Sequence, residues 1–292
     1  MTDPSKHPIT DTLVTELIVS QFPQWADLAI TPMVPGGWDN KTFRLGDKLL
    51  VRLPSAEMYA NQVFTEQQWL PTLASQLPLT IPKPIALGKP EFDYPWHWSV
   101  YEWIKGTATR QASIADMDDF AKQLSEFLNA LQACDTVDAP TAGPDNFYRG
   151  GDLSLYDNDT RNAIAAYTPE TEAEALLLIW ETALASKWQH APVWIHGDVA
   201  IDNLLLTEGK LHAVIDFGCM AIGDPACDLV IAWHLFDDNA RQIFRNMLNL
   251  DQQTWQRAKG WALWKTLCAP IASTDVNQVI NNLIQDNNCG DN

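Results

Sequence analysis

The sequence is poor in several features that would declare a setting. It has no run of about 18 consecutive apolar residues, so no membrane-spanning helix is expected. Its opening, MTDPSKHPITDT, lacks the basic stretch and apolar core of a secretory leader. The five cysteines, Cys134, Cys219, Cys227, Cys268 and Cys289, are odd in number, lie far apart, and form neither a CxxC pair nor a Cys/His ligand spacing. A disulfide scaffold and a structural zinc site are thereby excluded, and a reduced, cytoplasmic setting is expected. Positive charge is scarce: 19 Lys and Arg stand against 37 Asp and Glu, a formal net charge of −18. Such a surface is a poor partner for duplex nucleic acid or an anionic membrane. No internal repeat is visible.

What is present reads as a folded chain. At about 150 residues per domain, 292 residues suggest two domains or lobes. Apolar residues make up 46% and there are 13 Trp, which excludes intrinsic disorder. The acidic excess is uneven. Residues 1–105 hold 8 basic and 11 acidic side chains, and residues 106–292 hold 11 and 26. A cationic ligand for the second part follows from that asymmetry, as does the plainer reading of a surface that keeps the protein soluble.

Along the chain, Thr10 can cap a first helix, with Leu13, Val14, Leu17 and Ile18 at helical spacing before Phe22-Pro23. After Gly36-Gly37, Phe43–Leu45 and Leu49–Leu53 face each other across Gly46-Asp47 as a hairpin, stopped by Pro54. A helix fits residues 57–70, with Tyr59, Val63, Glu66 and Leu70 on one face and Pro71 as its stop. Glu66 on that face needs a cation, for which Arg52 is the natural partner and Lys41 and Arg44 are alternatives. Residues 96–104 suit a strand, and a boundary is placed near Gly106, where the acidic excess begins. Beyond it, helices are expected around 117–131, from Thr168-Pro169 to Leu184, and over about 224–248, 251–268 and 274–286.

The informative stretch is His196-Gly197-Asp198-Val199-Ala200-Ile201-Asp202-Asn203, followed by two short apolar strands around Gly209 and then Ile215-Asp216-Phe217-Gly218. A hairpin centred there brings Asn203 and Asp216 together at its open end. An amide oxygen beside a carboxylate suits magnesium, which completes its octahedron with water and phosphates. Asp198 projects into the same space with no cation of its own, where phosphoryl transfer needs a base.

H-G-D-x-x-x-x-N, I-D-F-G and the later G-D-P-x-x-D-L resemble the aminoglycoside phosphotransferase family, whose fold is similar to that of protein kinases. The likeness extends to Gly36-Gly37-Trp38-Asp39-Asn40, Val51–Pro54, Glu66 and Trp98–Trp103, covering residues from about 30 to 268. The resemblance implies an α+β, bilobal fold: a small β-rich N-lobe over 1–105 and a larger, mostly helical C-lobe over 106–292. It also implies Asp198 as the catalytic base, braced by His196, with Asn203 and Asp216 holding Mg2+ against the nucleotide phosphates. Asp228 would accept backbone amides of the catalytic loop. Gly36, Gly37 and Asn40 would cover the phosphates, Arg52 with Glu66 would reach them, and backbone groups of Glu102, Trp103 and Ile104 would meet the adenine edge.

Two departures from the family pattern stand out. Arg52 occupies the place of the usual Lys, and its fork is not equivalent to an ammonium. Residues 286–292 lack the acidic and aromatic ending through which several aminoglycoside kinases contact their drug. The expected activity is therefore transfer of the γ-phosphoryl group of ATP, or GTP, to a hydroxyl of a cationic small molecule, an aminoglycoside-like antibiotic by family. A macrolide, amino alcohol or other metabolite is the alternative acceptor, and a nucleotide-binding pseudokinase or regulator the alternative class. His212 and His234 have no motif support. The polar, glycine-rich segment Asn146–Leu153 reads equally as a cover for the acceptor and as a plain connection.

Overall fold

The computed structural model describes residues 7–34, 36–167, 170–269 and 275–289. Helix α1 (Asp11–Gln21) starts where Thr10 Oγ1 accepts from Leu13 N, and it buries Val14, Leu17 and Ile18. Five strands follow: β1 (Ile30–Pro32), β2 (Asn40–Leu45), β3 (Leu49–Pro54), then, after helix α2 (Gln62–Ala74), β4 (Pro84–Gly88) and β5 (Trp98–Glu102). They form one antiparallel sheet in the order β1-β2-β3-β5-β4. The expected hairpin is β2–β3, with Phe43 opposite Val51.

Period-two geometry gives this sheet two faces with different tasks. Val51 and Val100, paired across β3 and β5, bury themselves against α1 together with Phe43, Leu45, Leu53 and Trp98. Arg52 and Ser99, paired one position on, point the opposite way, towards α2. There Gln67 Nε2 donates to Ser99 Oγ at 2.9 Å and to Ala86 O at 3.1 Å, fixing the helix on the sheet.

The expectation of a helix over 57–70 is corrected in two ways. Glu57–Tyr59 is a separate 3-10 turn, whose Tyr59 meets the ring of Phe147, and α2 runs on through Pro71 to Ala74. Pro71 lacks the N–H that would close a turn on Gln67, yet the helix persists because Leu73, past the proline, is buried in the main core beside Leu70.

The remainder is largely helical. After β6 (Thr107–Ala108) come α3 (Met117–Ala133), α4 (Asp157–Ala166) and α5 (Glu170–Leu184), then β7 (Val193–Ile195), β8 (Leu204–Thr207), β9 (Lys210–Val214) and β10 (Ala221–Gly223). The chain ends in α6 (Ile231–His234), α7 (Asp238–Leu248), α8 (Gln252–Cys268) and α9 (Val276–Cys289). The start of α5 expected at Thr168-Pro169 lies outside the described residues, as does the end of the chain beyond Cys289. Helix α4 had no counterpart in the expected helices. The continuous helix expected over 224–248 is instead a 3-10 segment (Pro225–Val230), α6 and α7. The break is held open by Asp237, which caps α7 by accepting from Ala240 N, and by Arg241, which donates to Ala232 O and Phe236 O.

Helix α8 is the spine of this part. Trp255, Ala258, Trp261, Ala262, Leu263 and Trp264 are all buried, and Gly260 lets α5 approach: a Cβ there would lie 2.5 Å from that of Ala183. The core also takes in Leu70, Leu73, Ile81 and Tyr101, so it continues beneath the sheet. A parallel bridge between Thr80 and Ala213 ties the two regions, with Val214 N donating to Thr80 O at 3.0 Å. Among the described residues no helix is long and apolar enough to cross a membrane. Cys134, Cys219, Cys227 and Cys268 are free thiols.

Residue 71 is exposed, so Pro71→Ala leaves the core untouched while restoring the missing helical bond. The expected gain is about 1–3 kcal/mol in a denaturant titration. A loss of stability would show that the stiffness proline gives the unfolded chain outweighs that bond.

Candidate active site

The site is built around the loop that joins β7 to β8. Gly197, at φ +81°, is where only glycine fits: a Cβ would stand 2.3 Å from Cys219 O. The loop is gripped from below by Asp228, fully buried, whose two carboxylate oxygens accept from His196 N and Gly197 N, each at 2.7 Å. Burial raises the Asp228 pKa, while these two amides oppose that shift. His196 is also fully buried. Its Nδ1 accepts from Asp198 N, so the ring proton lies on Nε2, which reaches Ile215 O at 3.0 Å. One imidazole thus joins the Asp198 loop to the strand leading to Asp216.

The β8–β9 hairpin turns at Glu208-Gly209, both left-handed, and brings its open end together as the spacing implied: Ile215 N donates to Asn203 O at 2.8 Å. Asn203 Nδ2 donates to Asp198 O (2.9 Å) and Oδ2 (3.2 Å), which leaves its Oδ1 without a donor among the described residues. Asp216 adopts a left-handed backbone, φ 67°, which turns its carboxylate into the cleft. Asp39 faces the same space. Burial, with the Asp216 and Asp198 carboxylates, pushes it up to about 6.

These groups suit magnesium arriving with phosphates. Among the described residues no cluster of three or more His, Cys, Asp or Glu side chains could enclose a metal. The free Asn203 Oδ1 and the Asp216 carboxylate are the sparse hard-oxygen pair that such an ion accepts.

From the sheet, Arg52 reaches across. One arm donates to Glu66 Oε1 at 3.0 Å and the other to Asp216 Oδ1 at 2.5 Å. The partner of Glu66 is therefore Arg52, whereas Arg44 lies 4.0 Å over the Trp103 ring. Glu66 is 3% exposed and also accepts from Tyr101 Oη. Burial lowers the Arg52 pKa, but Asp216 and Glu66 outweigh it and hold the guanidinium firmly charged. Gly36 and Gly37 are exposed in the loop before β2, and Asn40 is buried at its start. At the end of β5, Glu102 N donates to Lys83 O and Trp103 N to Lys48 O, so the Ile104 N–H is the one of the three without a backbone acceptor among the described residues.

Three contributors were missed by sequence reasoning. The first is Lys265, which corrects the expectation that Asp198 has no cation of its own: Lys265 Nζ forms an ion pair with Asp198 Oδ1. Burial pushes the Asp198 carboxyl up, but Lys265, with help from Arg149, outweighs it and holds the group at about 2. The signal for Lys265 was a charged residue interrupting an apolar stretch, between Gly260–Trp264 and Leu267-Cys268. The second is Arg149, whose guanidinium carbon lies 4.2 Å above the Trp264 ring. The third, Asp39, lay within the Gly36–Asn40 motif without a role. The Asn146–Leu153 segment is pinned to the site, since Asn146 Nδ2 donates to Cys219 O and Gln62 Nε2 to Asp145 O.

A two-lobed α+β architecture, with the D-x-x-x-x-N…D residues gathered at the open end of the β8–β9 hairpin opposite Arg52 of the sheet, is kinase-like. The chain belongs to the phosphotransferase enzyme family, whose model matches residues 32–261. A solved GDP and kanamycin complex of an aminoglycoside phosphotransferase is similar over 96% of this chain and 99% of that one, with TM-score 0.72 and 19% identity. A macrolide 2′-phosphotransferase from Brachybacterium faecium covers 93% of both chains at TM-score 0.60 and 17% identity. An aminoglycoside 3′-phosphotransferase from Escherichia coli is 43% identical over 47 residues, so the chain matches only 17% of that protein's length.

His234, the histidine without motif support, is half-buried near this site, with Nε2 against Thr266 Oγ1 at 3.0 Å. Burial and then Lys265 lower its pKa from 6.5 to about 4. Because the folded pKa is depressed, stability is complete above about pH 6.5 and declines as the pH falls towards 4. In thermal melts across that window, His234→Gln should flatten the decline. An unchanged slope would place the acid sensitivity elsewhere.

Proposed function

We propose that this phosphotransferase moves the γ-phosphoryl group of a magnesium–nucleoside triphosphate, ATP in the first instance, to a hydroxyl of a small-molecule acceptor. The observation that carries this reading is the junction of Asp198, Asn203 and Asp216 at one end of the hairpin, secured by Asn203 Nδ2 on Asp198 and Ile215 N on Asn203. Asp198, with a third of its side chain exposed, accepts the hydroxyl proton. Asn203 Oδ1 and Asp216 would hold the metal, which when bound would offset the phosphate charge. Arg52, anchored by Glu66, turns the arm now on Asp216 towards the phosphates. Gly36, Gly37 and Asn40 lie over them, and the edge from Glu102 to Ile104 meets the base. His196 and Asp228 keep the loop in register. In this reading residues 1–105 bind the nucleotide and residues 106–292 supply the base and the acceptor walls.

Solved structures similar to this chain include complexes with GDP, ADP and ATP and with kanamycin, streptomycin and gentamicin. Aminoglycosides, macrolides and amino alcohols all present a hydroxyl that Asp198 would treat alike, so the choice among acceptors falls to the walls around it. A protein substrate is disfavoured, since the sequence has no A-P-E activation segment.

Asp198→Ala should lower transfer by about 100- to 10,000-fold while leaving magnesium–nucleotide affinity nearly unchanged. Asp216→Ala should instead weaken nucleotide binding in the presence of magnesium. Isothermal titration with and without the metal, beside a phosphoryl-transfer assay, separates the two effects. Normal turnover by Asp198→Ala would remove the base from this mechanism.

A further inference from the structure

We infer that the acceptor carries an anionic group, a carboxylate or phosphate, which Lys265 and Arg149 receive while its hydroxyl lies at Asp198. This rests on the phosphotransferase reading and names the acceptor class within it.

The wall beside Asp198 formed by α8 and the Asn146–Leu153 segment is basic, while Asp39 and Asp216 lie on the opposite side. Helix α8 holds three buried cations, two of which have partners remote from the base: Arg257 Nε on Asp224 at 2.6 Å, and Lys259 Nζ with Asp286 at 2.9 Å. Lys265, its side chain 10% exposed, is paired with Asp198 itself, the group that must be free to take a proton. Arg149 approaches from the Asn146–Leu153 segment. Its guanidinium lies on the Trp264 face, and among the described residues no carboxylate comes within ion-pair distance. Its Nη1 is buried and donates no hydrogen bond among the described residues. A guanidinium held on the Trp264 ring and beside Tyr156, with one nitrogen left unpartnered, offers a seat for an oxyanion. Of the other titratable neighbours, His234 is held neutral at ordinary pH, Asp216 is taken by Arg52, and Asp39 is pushed up to about 6 by burial and the facing Asp216 and Asp198 carboxylates.

The net charge of residues 106–292 suggested a cationic acceptor, but that charge lies outward. Asp135, Asp138, Asp159, Glu174, Glu208 and Asp251 are all exposed. Salt screens such charges beyond about 8 Å, so the groups in contact with a ligand decide its sign.

The pair also couples recognition to chemistry. When the acceptor's anion takes Lys265, Asp198 Oδ1 is released. It can then accept the hydroxyl proton as the acceptor oxygen bonds to the γ-phosphorus and the bond to the leaving nucleoside diphosphate breaks.

The test is to split a small-molecule cell extract on anion- and cation-exchange resins and incubate each fraction with wild-type enzyme, magnesium and γ-labelled ATP. Kanamycin serves as a separate cationic probe. Label transferred to a compound of the anion-retained fraction is expected, with KM for that compound raised about 10- to 100-fold by Lys265→Met and by Arg149→Met, and partly restored in Lys265→Arg. Label confined to other fractions, preferential phosphorylation of kanamycin, or an unchanged KM in both Met variants would overturn the inference. So would an unlabelled anionic fraction while wild type still hydrolyses ATP faster than Asp198→Ala. If wild type neither transfers label nor exceeds Asp198→Ala in hydrolysis, the phosphotransferase reading itself fails and this inference falls with it.

Discussion

The arrangement hangs on the buried carboxylate of Asp228. A fully buried acid is costly unless its oxygens are satisfied, and here both accept backbone amides, from His196 and Gly197, at 2.7 Å. Those two amides set the direction in which the loop leaves β7. That direction presses Gly197 against Cys219 so closely that no side chain could stand between them. The His196 ring then carries the constraint onward, through Nδ1 to the Asp198 amide and through Nε2 to Ile215 O. Asp198 and Asp216, eighteen positions apart in sequence, are thereby referred to one buried anchor. Removing that carboxylate would orphan two buried N–H groups at once.

On the opposite wall, a second buried acid organises the sheet side. Glu66 takes both Arg52 and Tyr101, and burial together with Glu66 keeps the Tyr101 hydroxyl protonated. The consequence of arginine at position 52 is geometric. A guanidinium has two arms, so it holds Glu66 and Asp216 together and links the sheet to the hairpin across the cleft. An ammonium in its place would be a single point. In the proposed binding mode the link spans the place of the phosphates, so nucleotide entry would exchange an internal ion pair for external ones of the same sign.

How far all this could be read in advance depends on the range of the determining interaction. The β2–β3 and β8–β9 hairpins are local, fixed by turn residues and alternation, and both were legible to within a residue or two. The gathering of Asn203 and Asp216 followed from counting outward from Gly209, and the facing of Arg52 towards Glu66 from the periods of strand and helix. What escaped was decided by tertiary contact. Pro71 reads as a stop, yet burial of Leu73 carries α2 past it. The break at residues 235–237 depends on Arg241 folding back onto carbonyls that a helical pattern treats as spent. Lys265 and Arg149 lie 67 and 49 positions from Asp198, in segments whose patterns speak only of packing, and neither belongs to a motif.

Helix α8 shows why those two residues bear on function as well as packing. A cation within a helix buried on most sides is tolerable only beside a carboxylate delivered by another element, since breaking such a pair costs about 3–5 kcal/mol. Asp224 and Asp286 serve Arg257 and Lys259 permanently, for neither has other work in the cleft. In the proposed mechanism Asp198 cannot serve Lys265 in the same way, because the oxygen that pairs with Lys265 is the one that must take the hydroxyl proton. A neutral or cationic acceptor would have to break the pair and leave Lys265 buried without a counter-charge. The anionic acceptor we infer would replace the counter-charge as it arrives, so the cost of freeing Asp198 would be met in the same event that brings the hydroxyl to it.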